Sequence, residues 1–286
     1  MTGKVVLVTG ANAGIGRETS LALARMGATV VMAARNPAKG ADAVAYVNHR
    51  SDSGRAVPGR LDLASFASIR SFAAWFLDEF DRLDVLINNA GLIVDSRSET
   101  EDGFEEMFGV NHLGHFLLTD LLRDRLVASA PSRVVVVSSL AHRVAVRGLH
   151  RHDLQAERRF HGFSTYARSK LANLLFAREL ARQLDGTGVT VNAVHPGSVN
   201  SHFGGEGDSG LIGPLISTFG RYLLISPTKG ARASVLMASS SAPRIATATG
   251  GYFPKGHRRP PSRRARNVAA GEWLWAESRR LVESVS

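Results

Sequence analysis

The sequence predicts an α/β chain built on a doubly wound parallel sheet of about seven strands, with helices covering both faces. Three observations predict it. Short continuous apolar runs alternate with longer segments of helical period along the chain. The runs lack polar alternation, as strands buried on both faces do. The runs end in small, turn-forming or hydroxyl-bearing residues, so the polar chemistry gathers at the carboxyl edge of the sheet, where such folds bind ligands.

Taken in order, Lys4–Val8 is the first strand and Ile15–Met26 the first helix. Thr29–Ala33 is the second strand. Pro37 opens the next helix, where its fixed φ and missing N–H are tolerated. A third strand precedes Asp62. Phe66, Ile69, Phe72, Ala73, Phe76, Leu77 and Phe80 recur at spacings of three and four, which gives one helix an apolar face. Val85–Asn88 and Arg133–Ser138 are further buried strands, with a helix from about Phe104 to Arg125 between them. Val189–Val194 is another strand, closed by Pro196-Gly197. The pattern is Rossmann-like. No linker or repeat interrupts it, so residues 1–286 read as a single domain.

Composition narrows the function. With no cysteine, disulfides, thiolate catalysis and Cys-ligated metals are excluded. His142, His150, His152 and His161 crowd one stretch, but at no spacing that suits a metal. The chain opens directly on a strand, and no apolar run reaches the roughly 18 residues of a membrane span, so a soluble cytoplasmic protein is expected. The formal net charge is +10. Most arginines are dispersed; only His257–Arg266 is dense, within a basic C-terminal segment of about residues 256–286. It reads as solvated surface rather than a nucleic-acid site, and an acidic carrier protein is the partner it would otherwise suit.

The residues Thr9-Gly10-Ala11-Asn12-Ala13-Gly14-Ile15-Gly16 join the first strand to the first helix. Glycines allow a tight turn and close approach of a pyrophosphate, while the helix N-terminus offers free N–H groups. The spacing Gly-x3-Gly-x-Gly differs from the commoner Gly-x-Gly-x-x-Gly, yet its place between strand and helix is that of a dinucleotide loop. No acid ends the second strand. Arg35 stands there instead, with Arg17 nearby, so NADP is expected over NAD. Asp62, with Leu63 beside it, suits the adenine, and Asn88-Asn89-Ala90-Gly91 offers small residues near the ribose.

Tyr166 and Lys170 lie four apart and so stack on one helix face. A phenol needs a nearby positive charge to work as an acid/base near neutral pH, and Lys170 can supply it. Ser138-Ser139 closes a strand at the same edge, and a serine hydroxyl there can hold a substrate oxygen. Asn111 is the fourth candidate, an amide able to hold a water.

Together, Thr9–Gly16, Asp62, Asn88–Gly91, Asn111, Ser139, Tyr166, Lys170 and Pro196-Gly197 resemble the short-chain dehydrogenase/reductase family over nearly the whole chain. The resemblance implies a single-domain Rossmann fold, dimeric or tetrameric, that moves hydride between NAD(P)H and a carbonyl or alcohol. It implies Tyr166 as acid/base, Lys170 lowering its pKa and binding the nicotinamide ribose, and Ser139, rather than Ser138, orienting the substrate oxygen. Asn111 would anchor a relay water. Gly10, Asn12, Ala13, Gly14, Ile15, Gly16, Asn89, Ala90, Gly91, Pro196, Gly197, Val199 and Ser201 would complete the cofactor site.

More narrowly, Met107–Thr119, Ser138–His142 and Leu274–Ser278 resemble the retinol dehydrogenase and WW-domain oxidoreductase branch. Glycines from Gly204 to Gly213 beside the apolar stretch Leu211–Ile225 suggest a lid at about residues 200–227, hence a mainly apolar alcohol, aldehyde or ketone as substrate. Reduction of a C=C bond and a non-catalytic NADP-binding regulator are the alternatives.

Overall fold

The computed structural model describes residues 1–197 and 226–285. These build one seven-stranded sheet in the order β3-β2-β1-β4-β5-β6-β7. Every neighbouring pair is parallel. The strands are β1 (Val5–Thr9), β2 (Thr29–Ala34), β3 (Arg55–Arg60), β4 (Val85–Asn88), β5 (Ser132–Val137), β6 (Val189–His195) and β7 (Tyr252–Pro254). The strand order reverses between β1 and β4, so a crevice opens there at the carboxyl ends.

The first half follows the sequence pattern closely. Helix α1 (Gly14–Arg25) leaves β1 through the glycine loop, and α2 (Pro37–Asn48) starts on its proline with Asn36 accepting from the Lys39 N–H at 3.1 Å. In α3 (Phe66–Glu79), Phe66, Ile69, Phe72, Ala73 and Phe76 are all buried. The sheet separates two cores. One gathers α3 residues with Leu113, Phe116, Leu171 and Leu174; the other gathers Leu21, Leu23 and Val47 with Ala233 and Met237 of α8 (Pro227–Ser239).

The helix expected from about Phe104 to Arg125 is not uniform. It consists of α4 (Glu106–Phe108), a π-helical turn at Gly109–Leu113, α5 (Gly114–Leu121) and α6 (Arg123–Ala128). Local packing accounts for this. Glu105 is buried and its carboxylate accepts from the Met107 and Phe108 N–H groups at 2.9 and 2.7 Å. A Cβ at Gly114 would lie 2.6 Å from the Leu63 carbonyl, so the chain approaches the loop after β3 backbone to backbone. The widened turn carries Asn111.

Helix α7 (Gly162–Gln183) bears the Tyr166/Lys170 pair. The final helix α10 (Val268–Glu283) follows a short α9 (Pro243–Ala246) and β7, and packs on α5 and α7. Trp275 stacks on Phe176 at 6.0 Å and meets Phe116 edge-on at 5.0 Å. His112, on the π turn, shares a 2.8 Å hydrogen bond with Ser278.

Candidate active site

The glycine loop is shaped by absent side chains. Gly10 and Gly14 have φ of 62° and 53°, which favour glycine. A Cβ at Gly10 would come within 2.9 Å of the Ala90 Cα, and one at Gly16 within 2.3 Å of the Gly10 carbonyl. Helix α1 begins on Ala13, which has no capping side chain, so its first-turn N–H groups remain available to an anion. Such a cradle fits a dinucleotide pyrophosphate. Arg35 is exposed just past β2, whereas Arg17 packs over the Tyr46 ring at 4.2 Å, opposite Arg50 at 4.0 Å. Arg17 is thus held against Tyr46 at the first turns of α1.

The loop after β3 is set by Asp62, whose carboxylate accepts from the Ala64 N–H at 2.9 Å, and by buried Leu63. The loop after β4 is stitched to β1. Asn89 donates to the Thr9 carbonyl at 2.8 Å, while Asn88 turns inward and donates to Thr119 at 2.9 Å. The Thr9 hydroxyl accepts from the Asn89 and Ala90 N–H groups at 2.9 and 3.0 Å. Its proton has the Ile87 carbonyl at 3.4 Å and His115 Nε2 at 2.8 Å as acceptors, the closer being the imidazole. That leaves the imidazole proton on Nδ1, which donates to the Asn111 carbonyl at 3.1 Å. Burial holds His115 neutral, pulling it down to about 4.

Asn111 is fully buried on the π turn. Its side chain pairs with the Leu92 backbone, accepting at 2.8 Å and donating at 2.9 Å, and also donates to Ser169 at 3.0 Å. Ser169 donates in turn to the Tyr166 carbonyl at 2.8 Å. Asn111, the β4 loop and α7 thus form one unit. A Cβ at Gly91 would lie 2.9 Å from Lys170 Nζ and 3.1 Å from Asn111 Oδ1, so Gly91 sits directly over the ammonium.

The two serines after β5 divide their work. Ser138 is buried and donates to the Lys170 carbonyl at 2.8 Å, which fastens α7 to the strand. Ser139 is partly exposed, caps the 3₁₀ turn Leu140–Arg143 and lies beside Tyr166. Lys170 Nζ lies 5.5 Å from the centre of the Tyr166 ring. The expectation of a depressed phenol is not met by the chain's own groups. Desolvation pushes Tyr166 up to about 12, with the Ser139 hydrogen bond opposing it, and burial pulls Lys170 down to about 8. Tyr166 is therefore held as a protonated phenol.

Pro196 and Gly197 end β6 at the same edge, Gly197 with φ of 101°. Val199, Ser201 and the expected lid lie outside the described residues, apart from its last positions, Ser226 and Pro227, which start α8. Among the described residues no cluster of metal-ligating side chains occurs, and no helix is long and apolar enough to cross a membrane.

This arrangement has relatives. The model of the short chain dehydrogenase family matches residues 4–151 and 154–209. The chain is a short-chain dehydrogenase. It is an NAD(P)-dependent oxidoreductase, of the retinol dehydrogenase branch of that family. Mouse retinol dehydrogenase 12 is 46% identical over 280 residues, which cover 98% of this chain and 86% of that one. Human retinol dehydrogenase 13 is 44% identical, covering 98% and 85%. Among solved structures, an uncharacterized protein from Mycobacterium paratuberculosis is 36% identical with a TM-score of 0.77, over 99% of this chain and 94% of that one. The RhlG/NADP complex of Pseudomonas aeruginosa is 25% identical with a TM-score of 0.69, over 89% and 95%.

Within this short-chain dehydrogenase, sequence reasoning did not find His115 or Ser169. Each lies four or three residues from an expected site residue, His115 from Asn111 and Ser169 from Tyr166. That spacing is the signal that could have found them.

Proposed function

We propose that this short-chain dehydrogenase is an NADP(H)-dependent carbonyl reductase acting on a mainly apolar aldehyde or ketone, with Tyr166 as proton donor. The observation that supports it most is Tyr166 beside Ser139 and one helical turn from buried Lys170, at the same edge of the sheet as the Gly10–Gly16 loop. When bound, the dinucleotide supplies the hydride.

The chain's residues do the rest. Gly10, Asn12, Ala13, Gly14, Ile15 and Gly16 hold the pyrophosphate at the start of α1. Arg35 faces a 2′-phosphate, with no acid at the end of β2 to repel it. Asp62 and Leu63 meet the adenine, and Asn89, Ala90 and Gly91 the ribose. Lys170, beneath Gly91, would reach the nicotinamide ribose; Val199 and Ser201, after Pro196-Gly197, would meet the nicotinamide carboxamide. Ser139 hydrogen-bonds the substrate oxygen. As the carbonyl carbon gains hydride, the Tyr166 O–H bond breaks and its proton closes the new alcohol O–H. Lys170 and a water at Asn111 return a proton to the phenolate.

A phenol pushed up to about 12 is protonated at neutral pH, the form that gives a proton in the reductive direction. The names of the relatives point to retinol, an apolar alcohol, and so to retinal-like aldehydes for the reverse direction. Residues 1–286 form one domain in this reading, with about 200–227 as its lid. The test is a panel of apolar aldehydes and ketones, retinal included, with NADPH and NADH. Turnover of apolar carbonyls, faster with NADPH, is expected. No turnover of any carbonyl refutes the reaction; equal or faster rates with NADH refute the cofactor choice.

A further inference from the structure

The arginine-rich stretch Arg258–Arg266 has no part in the reaction above. Its arginines are exposed, yet the stretch is tied down at four points, three through its backbone and one through the Arg264 side chain. The Arg259 N–H donates to the Tyr252 carbonyl at 2.9 Å. Arg143 donates to the Pro260 carbonyl at 3.3 Å, and Arg264 donates to the Val146 carbonyl at 3.1 Å. The Ser262 N–H donates to His142 Nε2 at 3.2 Å.

The last of these reaches the site. His142 Nδ1 lies 2.6 Å from the Ser139 carbonyl. A carbonyl only accepts, so Nδ1 carries the proton, and Nε2 is left as the acceptor that the Ser262 N–H requires. The two bonds select one neutral tautomer. The ring is fully buried and seated edge-on against Tyr252 at 5.3 Å and 80°. Ser139 is therefore gripped at both ends. Its hydroxyl accepts from the Ala141 N–H at 3.2 Å, and its carbonyl accepts from both the backbone N–H of His142, at 3.2 Å, and the imidazole.

We infer that His142 is a positioning residue: its neutral imidazole clamps the Ser139 carbonyl to the C-terminal strap at Ser262 and thereby aims the Ser139 hydroxyl at Tyr166. The arginine-rich stretch is then part of the frame of the reaction rather than a solvated tail. The inference rests on the proposed roles of Ser139 and Tyr166. A group that aims another acts only through it, so its effect vanishes when the aimed group is gone.

The test is a set of variants in the full chain. H142F keeps an aromatic ring against Tyr252 and removes both bonds. H142N keeps a donor on the Ser139 side; H142Q places its amide towards Ser262. We expect H142F to lower kcat about 10-fold or more, since small misplacements near the chemistry carry such losses. NADPH Kd stays as in the wild type. H142N recovers most of the loss and H142Q does not. In an S139A background, H142F has little further effect. The inference is overturned if H142F leaves kcat unchanged, or if it lowers S139A by the same factor as it lowers the wild type. Should H142F fail to fold, equal kcat for H142N and H142Q overturns it instead. If Y166F retains full turnover, the underlying reading fails, and that outcome is read separately from the His142 series.

Discussion

The two walls of the crevice are held by opposite means. The wall at the ends of β1 and β4 is defined by what is missing: Gly10 and Gly16 leave no room for a Cβ, and Gly91 leaves none above Lys170. The wall at the end of β5 and the start of α7 is defined by what is present, a run of paired hydroxyls, amide and imidazole from Ser138 through Asn111 and Ser169 to His142. On the first wall the limit to change is volume; on the second it is polar satisfaction. Damage to the first wall should therefore appear as lost cofactor binding with the fold intact. Damage to the second should appear as lost chemistry, or as lost stability where a buried partner is orphaned.

The comparison breaks first at Gly16. Gly16→Val places a Cβ where the Gly10 carbonyl stands 2.3 Å away, so the loop must open. NADPH affinity should fall by about 100-fold or more, of the order an anion site loses when its N–H groups are displaced. Calorimetric titration would check it, and wild-type affinity would show that the wall is not set by volume.

Asn111→Ala comes next. It strips the Leu92 N–H and the Ser169 hydroxyl of a buried partner, and it should cost about 2–3 kcal/mol of stability by the penalty for unsatisfied groups. Denaturant unfolding measures this, and an unchanged midpoint would contradict the pairing.

Lys170 sharpens the contrast, because its charge is carried against burial. The folded value, about 8, lies below the ordinary lysine value, so the native state sheds its proton first as pH rises. Below about pH 8 the buried charge destabilises the fold. That penalty fades between the folded and unfolded values as pH increases. Lys170→Met should therefore abolish turnover yet raise the melting temperature at pH 7, with the gap to wild type closing towards pH 10. A lower melting temperature at pH 7 would count against this.

The smallest effect belongs to exposed Arg35 on the first wall. Arg35→Asp should move the NADPH-to-NADH preference about 10-fold towards NADH, as expected for one charge contact with a phosphate. Steady-state kinetics with both cofactors would read it, and no shift would remove Arg35 from the cofactor site.

The first wall was largely legible in the sequence, because its signal is local. Glycines between an apolar run and a helix mark the loop at Gly10–Gly16, and Asn89–Gly91 follows β4 in the same way. The second wall was legible only where a local spacing revealed it, as at Tyr166 and Lys170. His142 finds its partner 120 residues away, and His115 reaches Thr9 across 106, distances at which no periodicity speaks. The π turn at Gly109–Leu113 runs into Gly114, which meets the loop after β3 in a tertiary contact that no local spacing announces. The edge strands were obscure for a different reason. β3 contains Pro58 and Gly59, which weaken a strand signal, and β7 has only three residues.

One measurement bears on the central claim that Tyr166 gives the proton. NADPH titration and carbonyl turnover should be followed side by side in wild type and Tyr166→Phe. The variant keeps the ring and removes only the hydroxyl beside Ser139. The account predicts unchanged NADPH affinity with turnover reduced by about 100-fold or more, the scale of positioned acid catalysis. Turnover within a few-fold of wild type would contradict it.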